Sequence, residues 1–516
     1  MNTPDHFDAI VIGSGMGGLS AAAALARLGH RVLVLEQHYE PGGLTQTFSR
    51  GKFEWDVGVH YLGQMGEGGE ARKVLDWLSG GRLQFAPLGP VYDTVHLADG
   101  VPLQFARPEQ SLLTELSERF PDSREELHRF FAALHSAERA LQAVFTTRVM
   151  PRWIAALLQL WHRPSIRRWC GRSTLDVLTE LITDPRLRAV LAAQRGDYCP
   201  DPTESSFAMH ALVMRHYFDG AYYPVGGAKS FAEALVPVIE AAGGKVRTRA
   251  QVESLTLTSG AVTGVRLKNG AELSSARVIS DAGALVTVGR LLPESLRATP
   301  WAQEILAMRP SACHLGLYLG LVGNIRAHGA TTCNHWFYES AELGDSVWRD
   351  LDRQPRAPGA FVSFPSLKDP ARARSQDAHT AEMVVFTDWK LFEPWQESRI
   401  GRRPEEYREF KRMIEDRMLE QFQAYFPALA GLVEHSELST PLSTVAFTGA
   451  EQGGVYGLET SPRRFLSRAL APRTPVPGLY LTGQDAATPG ITGAMMAGMM
   501  AAASIDARAF RHFNAG

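Results

Sequence analysis

The stretch that decides the fold is residues 8–36, DAIVIGSGMGGLSAAAALARLGHRVLVLE. It starts with an apolar run, 8–12, of the kind that forms a buried parallel strand. The glycine motif GSGMGG follows at 13–18, then a helix of small residues at 19–28, then a second apolar strand at 31–35 that ends at an acid. This order of elements within about 30 residues is typical of an α/β unit that binds a dinucleotide.

Four residues of this unit have predicted tasks. Gly13 makes the tight turn after the strand, Gly15 leaves room for a pyrophosphate, and Gly18 lets the helix approach the sheet. The phosphates would rest on the helix N terminus, where free N–H groups and the helix dipole favour negative charge. Glu36, 18 residues beyond Gly18, is placed to accept a hydrogen bond from a ribose hydroxyl.

The residues after Glu36 bear on which dinucleotide is bound, since NAD and FAD share this motif. QHYEPGG at 37–43 brings a second glycine turn near the first, and FEWDVGVHYLG follows at 53–63. Here the sequence resembles the FAD-binding N terminus of the flavin amine oxidase and phytoene desaturase superfamily, and within it most of all the retinol saturases and carotenoid isomerases. The resemblance implies FAD as the cofactor, with Gln37 and Gly43 among its contacts.

Two later segments extend the resemblance. Residues 221–252 and a hairpin over 261–279 that turns at Asn269-Gly270 resemble the middle FAD segment, which implies that Val252 contacts the adenine through its backbone. GLYLTGQD at 478–485 and PGITGA at 489–494 resemble the closing motif. The motif implies that Gly483 and Asp485 bind the flavin's linker. It also places the positive end of a helix that starts near Ile491 and Thr492 at the isoalloxazine.

The sequence also departs from the wider superfamily. Many amine oxidases have an arginine directly after the paired glycines, whereas here Leu44 follows, which argues against an amine oxidase without excluding one. A second complete strand–GxGxxG–helix unit for a nicotinamide is absent from the sequence. The electron donor or acceptor is therefore left open.

These motifs predict an α/β fold with two domains. The resemblance implies a discontinuous Rossmann-like FAD-binding domain made of 1–75, 222–290 and 465–516. The intervening stretches, 76–221 and 291–464, are expected to form a substrate-binding domain. We expect it to contain a mixed sheet from 91–105 and 312–321, capped by helices at 111–141 and 405–425.

Residues 139–172 are the candidate membrane-contact segment. They contain seven arginines, three tryptophans and no Asp, Glu or Lys. Such a composition is typical of an interfacial segment on an anionic bilayer. The alternative is a core helix whose arginines pair with acids elsewhere, although Pro151 and Pro164 are expected to break a helix here. Peripheral membrane contact would suit an apolar substrate, which passes poorly through water.

The chemistry would belong mainly to the flavin, so the protein has to supply an apolar tunnel and one group that donates or stabilises a proton. His60 and Tyr61 are the catalytic candidates, because the resemblance places DxGxHY near the isoalloxazine. The alternative for His60 is a structural histidine. Tyr456 is a weaker candidate, for which a role as a turn aromatic packed in the core is favoured.

No pattern predicts a metal site, and Cys313, His314, Cys333 and His335 are interpreted as strand residues. The four scattered cysteines are typical of a reducing compartment, so a cytoplasmic location is expected. With 53 basic and 55 acidic residues, the net charge of −2 argues against a nucleic-acid partner.

The leading hypothesis is therefore an FAD-dependent oxidoreductase that saturates, desaturates or isomerises a carbon–carbon double bond in a polyene or isoprenoid lipid. A flavin amine oxidase is the alternative among enzymes. A non-enzymatic prenyl-lipid escort of the related dissociation-inhibitor fold is the alternative outside them, and the intact glycine set with Glu36 argues against it. The sequence does not decide the substrate or the direction of the reaction.

Overall fold

Strands and helices alternate along the chain, and the computed structural model describes residues 6–98, 100–375 and 377–513. The strands are β1 (Ala9–Ile12), β2 (Val32–Leu35), β3 (Thr47–Arg50), β4 (Phe53–Asp56), β5 (Leu62–Gly63), β6 (Phe85–Pro87), β7 (Val91–Leu97), β8 (Leu103–Ala106), β9 (Ala221–Pro224), β10 (Lys245–Arg247), β11 (Val252–Thr258), β12 (Ala261–Leu267), β13 (Glu272–Ser274), β14 (Val278–Ser280), β15 (Cys313–Leu321), β16 (Asn334–Tyr338), β17 (Gly359–Ser363), β18 (His379–Thr387), β19 (Val433–Ser439) and β20 (Leu479–Leu481).

The helices are α1 (Met16–Arg27), α2 (Glu70–Ser79), α3 (Glu109–Arg119), α4 (Arg124–Val149), α5 (Arg152–Trp169), α6 (Thr174–Leu181), α7 (Pro185–Leu191), α8 (Phe207–His216), α9 (Ser230–Ala241), α10 (Ala284–Val286), α11 (Glu294–Arg297), α12 (Pro300–Leu306), α13 (Pro365–Lys368), α14 (Glu405–Tyr425), α15 (Pro441–Thr448), α16 (Pro462–Leu466) and α17 (Ile491–Ile505).

A parallel sheet has the strand order β10-β2-β1-β14-β20. Its apolar strands are buried because α1, α9 and α17 pack on one face, while the β11-β12-β13 sheet and α12 pack on the other. The five strands come from three separated stretches of the chain. The predicted α/β class, with a parallel sheet of nucleotide-binding type, is confirmed.

A second, mixed sheet has the order β19-β15-β18-β17-β16-β7-β8, in which only the β16–β7 pair is parallel among the described strands. Alternate residues of β15, such as Leu315 and Leu317, join the core under α14. The other face packs, through residues such as Trp336 and Phe361, against the helices between β8 and β9. The strands predicted at 91–105 and 312–321 and the helix predicted at 405–425 are confirmed.

The small residues of α17 allow it to pack directly on α1. A Cβ on Gly498 would lie 2.5 Å from the carbonyl oxygen of Gly17 and 2.8 Å from Ala21 N, so a larger residue there would separate the helices. This contact explains the apolar, glycine-rich sequence of α17. Among the helices described, none is long and apolar enough to cross a bilayer.

Two predictions about helices are wrong in detail. The helix predicted at 111–141 is divided into α3 and α4 by a turn at Pro121–Ser123, because a proline cannot continue a helix but can start the next one. Pro164 does not break α5. It removes one hydrogen bond to the carbonyl oxygen of Leu160, and both residues are exposed, so water can satisfy that oxygen.

Candidate active site

The turn between β1 and α1 closes tightly around its glycines. Gly13 has φ +93°, a conformation that favours glycine. A Cβ on Gly15 would lie 2.6 Å from Asp281 Oδ2, and one on Gly18 would lie 2.2 Å from the Gly13 carbonyl oxygen. The N-cap residue Gly15 has no side chain to cap α1 and the first turn of the helix contains no acid, but the Asp281 carboxylate accepts a hydrogen bond from Gly18 N.

Glu36 is held at the end of β2 by its neighbours. Its carboxylate accepts hydrogen bonds from Ser14 N at 2.9 Å, Ser14 Oγ at 2.6 Å and His38 N at 2.8 Å. A Cβ on Gly43, which has φ +59°, would lie 3.0 Å from Gly15 Cα. The second glycine turn therefore lies on the first, as the sequence predicts.

Two other candidates lie on either side of this acid. Val252 is buried at the start of β11, and two residues before it Ala250 N donates to the Glu36 carbonyl oxygen at 2.7 Å. Gln37 is exposed, and a Cβ on Gly449 would lie 3.2 Å from its Nε2. The structure thus places Val252 next to the acid and Gln37 at the surface.

The closing segment meets the glycine turn at the same edge of the sheet. A Cβ on Gly17 would lie 2.5 Å from Gly483 N, so the turn after β20 touches the start of α1. Both carboxylate oxygens of Asp485 accept backbone hydrogen bonds, from Ala284 N at 2.7 Å and Leu458 N at 2.8 Å. Asp485 therefore ties the closing segment to two other parts of the chain, a task that the sequence did not predict.

The start of α17 completes this cradle. Ile491 and Thr492 are its first residues, and no side chain among the described residues caps it. Thr492 Oγ1 is buried without a hydrogen-bond partner. Because α1 and α17 both follow strands of one parallel sheet, their N termini lie at the same edge. The N termini of these two helices, the glycine cradle and the orphaned Thr492 hydroxyl fit a flavin dinucleotide.

One acid of the cradle was missed by the sequence reasoning. Asp281 directly follows β14, and its carboxylate lies against Gly15 and Gly18. Burial, together with the carboxylates of Glu36 and Asp485, raises the pKa of Asp281 to about 8. Its position after the strand that neighbours β1 was the signal that could have identified it.

A second group of polar side chains lies on the face of the mixed sheet opposite α14. The strand registers pair Glu382 with Ser363 and Asn334 with Asp93. Lys368 joins the two pairs, because its Nζ donates to Ser363 Oγ at 2.7 Å and to Asn334 Oδ1. Burial lowers the pKa of Lys368 to about 8 and raises that of Glu382 to about 8.

An apolar row lies directly beside this polar row. The registers pair Val384 with Phe361, Phe361 with Trp336, and Trp336 with Val95. The His60 ring packs on Phe361 with centroids 5.0 Å apart. The sheet therefore places buried apolar and aromatic side chains beside polar groups, the two kinds of group that a site for a long apolar ligand with one polar contact needs.

His60 belongs to the polar row. Its Nδ1 lies 3.0 Å from Glu382 Oε2, and its carbonyl oxygen accepts a hydrogen bond from Lys368 Nζ at 2.7 Å. Burial and then the charge of Lys368 lower the pKa of His60 to about 3, so the imidazole is neutral. The segment is also tied to the glycine turn, since a Cβ on Gly58 would lie 3.3 Å from the Leu44 carbonyl oxygen.

Tyr61 links two buried acids. Its hydroxyl donates to Asp197 Oδ2 at 2.7 Å and lies 3.2 Å from Asp93 Oδ2. The ring stacks on Tyr217 with centroids 4.3 Å apart and planes 4° apart. Burial and then the charge of Asp93 raise the pKa of Asp197 to about 8. At neutral pH this carboxyl holds a proton next to the phenol.

Two further side chains adjoin this centre. Tyr456 is partly buried and its hydroxyl donates to the Gly196 carbonyl oxygen at 2.7 Å, next to Asp197 in the chain. His314 is paired with Phe386 on the same sheet face, and its buried Nδ1 has no hydrogen-bond partner.

The structure thus brings His60 and Tyr61 together with acids that the sequence did not indicate. Asp93, Asp197, Glu382 and Lys368 are distant in the chain and stand in no recognisable motif. For Glu382 and Asp93 the available signal was a charged residue inside an otherwise apolar strand. Among the described residues no cluster could hold a metal ion.

The chain is similar to a known protein family and to named enzymes. Residues 16–307 match the family described as flavin containing amine oxidoreductase. All-trans-retinol 13,14-reductase of Rattus norvegicus is 34% identical over 97% of this chain and 86% of its own length. Prolycopene isomerase of Daucus carota is 27% identical over 97% of this chain and 80% of its own length.

Solved structures share the fold. Putrescine oxidase with bound putrescine matches with a TM-score of 0.61 and 16% identity over 97% of this chain and 99% of its own. An oxidoreductase from Methanosarcina mazei matches with a TM-score of 0.62 and 18% identity, covering 95% of this chain and 98% of the other.

Proposed function

Because the chain belongs to the flavin-containing amine oxidoreductase family, we propose that it is an FAD-dependent reductase that saturates a carbon–carbon double bond in a retinoid-like or other apolar polyene. Relatives named as a retinol reductase and a prolycopene isomerase support a polyene substrate. Both names denote enzymes, so the escort hypothesis is not retained. Desaturation and isomerisation are the alternatives that the experiment below separates.

The proton-holding pair Tyr61–Asp197 is the observation that favours reduction. Saturation of a double bond adds a hydride to one carbon and a proton to the other. When bound, a reduced flavin supplies the hydride and becomes oxidised, so an external donor has to reduce it again. Tyr61 gives its phenolic proton to the second carbon, and the Asp197 carboxyl restores that proton along the 2.7 Å hydrogen bond.

FAD would be held at the glycine cradle. Gly13 would keep the turn tight, Gly15 would leave room for the pyrophosphate and Gly18 would let α1 approach the sheet, so that the pyrophosphate lies at the N terminus of α1. The lone pairs that Glu36 has left would accept a ribose hydroxyl, and Val252 would meet the adenine. On the flavin side we assign Gly483, Ile491 and Thr492, whose orphaned hydroxyl is buried there. The FAD domain would then comprise 1–75, 222–290 and 465–516, with the substrate domain between.

Substrate would arrive from a membrane surface at which α5 lies. Trp153, Leu157, Leu160 and Trp161 are 70%, 63%, 69% and 83% exposed and recur at helical spacing along one face. A continuous exposed apolar face of this kind marks an interaction surface. The membrane contact is narrower than the sequence predicts, since Arg148 and Trp169 of the predicted segment are buried. The free, buried cysteines fit a cytoplasmic location.

Product masses test the proposal. The holoprotein, reduced and oxidised, is incubated anaerobically with retinoids and carotenes. A gain of two hydrogens with the reduced form supports reduction, while a loss of two hydrogens with the oxidised form or an unchanged mass with altered double-bond geometry overturns it in favour of a desaturase or isomerase. Oxidation of amines but not of polyenes would identify an amine oxidase.

A further inference from the structure

A cavity of about 380 Å³ lies between α4, α5 and the chain around α16, and no mechanism described above uses it. Four arginines line it: Arg148, Arg163, Arg167 and Arg468. No acidic side chain lies among its lining residues in the part of the chain that the structure describes. The apolar part of the wall includes Phe465 and Leu466. The cavity thus combines a strong positive charge with an apolar surface.

Arg148 is the buried group of this cavity. It is only 7% exposed, and its three hydrogen bonds go to the backbone carbonyl oxygens of Ala486, Arg464 and Ser467. Its Nε is buried and has no partner. Arg464, whose positive charge acts on Arg148, is itself buried and also donates to carbonyl oxygens. A guanidinium that meets carbonyl dipoles and the face of the Phe145 ring, rather than a carboxylate, leaves charge for an anion.

The cavity opens on the surface that carries the apolar face of α5. Leu160 belongs both to that face and to the cavity wall, and Leu466 at the wall is 48% exposed. An amphipathic helix buries its apolar face at the boundary between headgroups and acyl chains. A cavity at its flank would therefore lie at the level of the lipid phosphates. Arginine is the side chain whose planar fork matches a phosphate.

We propose that this cavity binds the phosphate headgroup of an anionic phospholipid and so fixes the orientation of α5 on the membrane. The guanidinium groups of Arg163 and Arg167 reach the phosphate from the rim, and Arg148 meets it from the floor. Acyl chains extend along Leu160 and Leu466 into the bilayer. The inference rests on the proposed membrane contact and is independent of the flavin chemistry.

Vesicle sedimentation with the flavin-loaded enzyme tests the site. Wild type is compared with Arg167→Gln and with Arg168→Gln, which removes the same charge from the next position of α5 but does not line the cavity. On vesicles of phosphatidylcholine with phosphatidylglycerol, R168Q should lose up to about fivefold in affinity through general charge. R167Q should lose several-fold more, with R163Q behaving alike, and all variants should bind pure phosphatidylcholine equally.

Equal losses for R167Q and R168Q would overturn the headgroup site while leaving the membrane contact intact. Failure of wild type to bind either vesicle would overturn both. The third measurement is the heat stability of wild type and R167Q with inorganic phosphate in place of lipid. If phosphate stabilises wild type but not R167Q against heat, with no difference between the two on vesicles, the ligand is a free phosphate compound and the lipid assignment is wrong.

Discussion

The hydroxyl of Tyr61 donates to the carboxyl of Asp197 at 2.7 Å, although the two residues are 136 positions apart in the chain. Tyr61 closely follows Gly58, which lies against Leu44 of the second glycine turn. Asp197 ends a short helical turn, Ala193–Asp197, that packs on Trp336 of the mixed sheet. The bond therefore joins the part of the chain expected to hold the cofactor to the part expected to hold substrate. It also places a removable proton in a buried, aromatic surrounding.

Replacing Tyr61 by Phe should remove that proton without disturbing the ring stack on Tyr217. We expect the rate of double-bond reduction to fall by about 10²- to 10⁴-fold, the usual contribution of a positioned proton donor. Flavin content should be unchanged. Initial rates of product formation, followed by mass, and the flavin absorbance of the purified variant provide the measurement.

Tyr92→Phe is the matched control for this variant. Tyr92 is fully buried near Tyr217, but its hydroxyl has no hydrogen-bond partner. Its removal should leave the rate within a few-fold of wild type. If both variants lose the same activity, the role assigned to the Tyr61 phenol is incorrect.

The pH dependence of reduction should report the carboxyl of Asp197. Its pKa is raised from the ordinary value to about 8 by burial and by Asp93, so the proton is held below that pH and lost above it. The rate should therefore be level at neutral pH and decline as the pH rises through about 8. Asp197→Asn, which cannot deliver a proton, should lower the rate at neutral pH and remove the decline above about pH 8. A wild-type rate that keeps rising to high pH would contradict the assignment.

Gly15→Val should abolish flavin retention. A Cβ at this position would meet Asp281 at 2.6 Å, and the added methyl groups would occupy the space expected for the pyrophosphate. The ratio of flavin to protein absorbance after gel filtration is the measurement. Gly431→Ala is the control, because a Cβ there meets no atom within 4 Å. A Gly15 variant that folds and keeps its full flavin content would show that the phosphates bind elsewhere.

The fold and the cradle were predictable because their determinants are local. The glycine turn from Gly13 to Gly18, the acid at Glu36 and the small residues of α17 each lie within one short segment, and the period of apolar residues identifies the strands. The division between α3 and α4 could have been predicted too, since Pro121 marks it. Pro164 shows the limit of such rules, because the exposure of the carbonyl oxygen that loses its hydrogen bond helps to decide whether a helix tolerates a proline, and the sequence does not report that exposure.

The polar centre could not be predicted in the same way. Lys368, on α13, comes near Glu382 only because β17 and β18 pair in the folded sheet. Asp197 meets Tyr61 only because folding brings together two residues that are 136 positions apart in the chain. Lys368 and Asp197 give no signal in their own segments, and the charge of Glu382 inside an apolar strand does not tell which residues it meets. Burial turns them into a site, by shifting pKa values that a sequence cannot report.

Lys368 should also be essential to the stability of that centre. Its Nζ donates to the carbonyl oxygen of His60, to Ser363 and to Asn334, all inside the protein. Lys368→Met would leave these acceptors without their donor and Glu382 without the opposite charge that Lys368 supplies, at a cost of about 3 to 5 kcal/mol in the free energy of unfolding. Urea denaturation followed by circular dichroism measures the loss.

Two comparisons separate the buried interaction from a mere loss of charge. Lys229→Met breaks a half-exposed pair with Glu54 and should cost less than about 1 kcal/mol. The double variant Lys368→Met/Glu382→Gln should be more stable than the sum of the single changes predicts, because the glutamine leaves no buried acid deprived of its cation. Strict additivity would show that Lys368 and Glu382 act independently. Lys368 would then stabilise the centre through its hydrogen bonds to His60, Ser363 and Asn334.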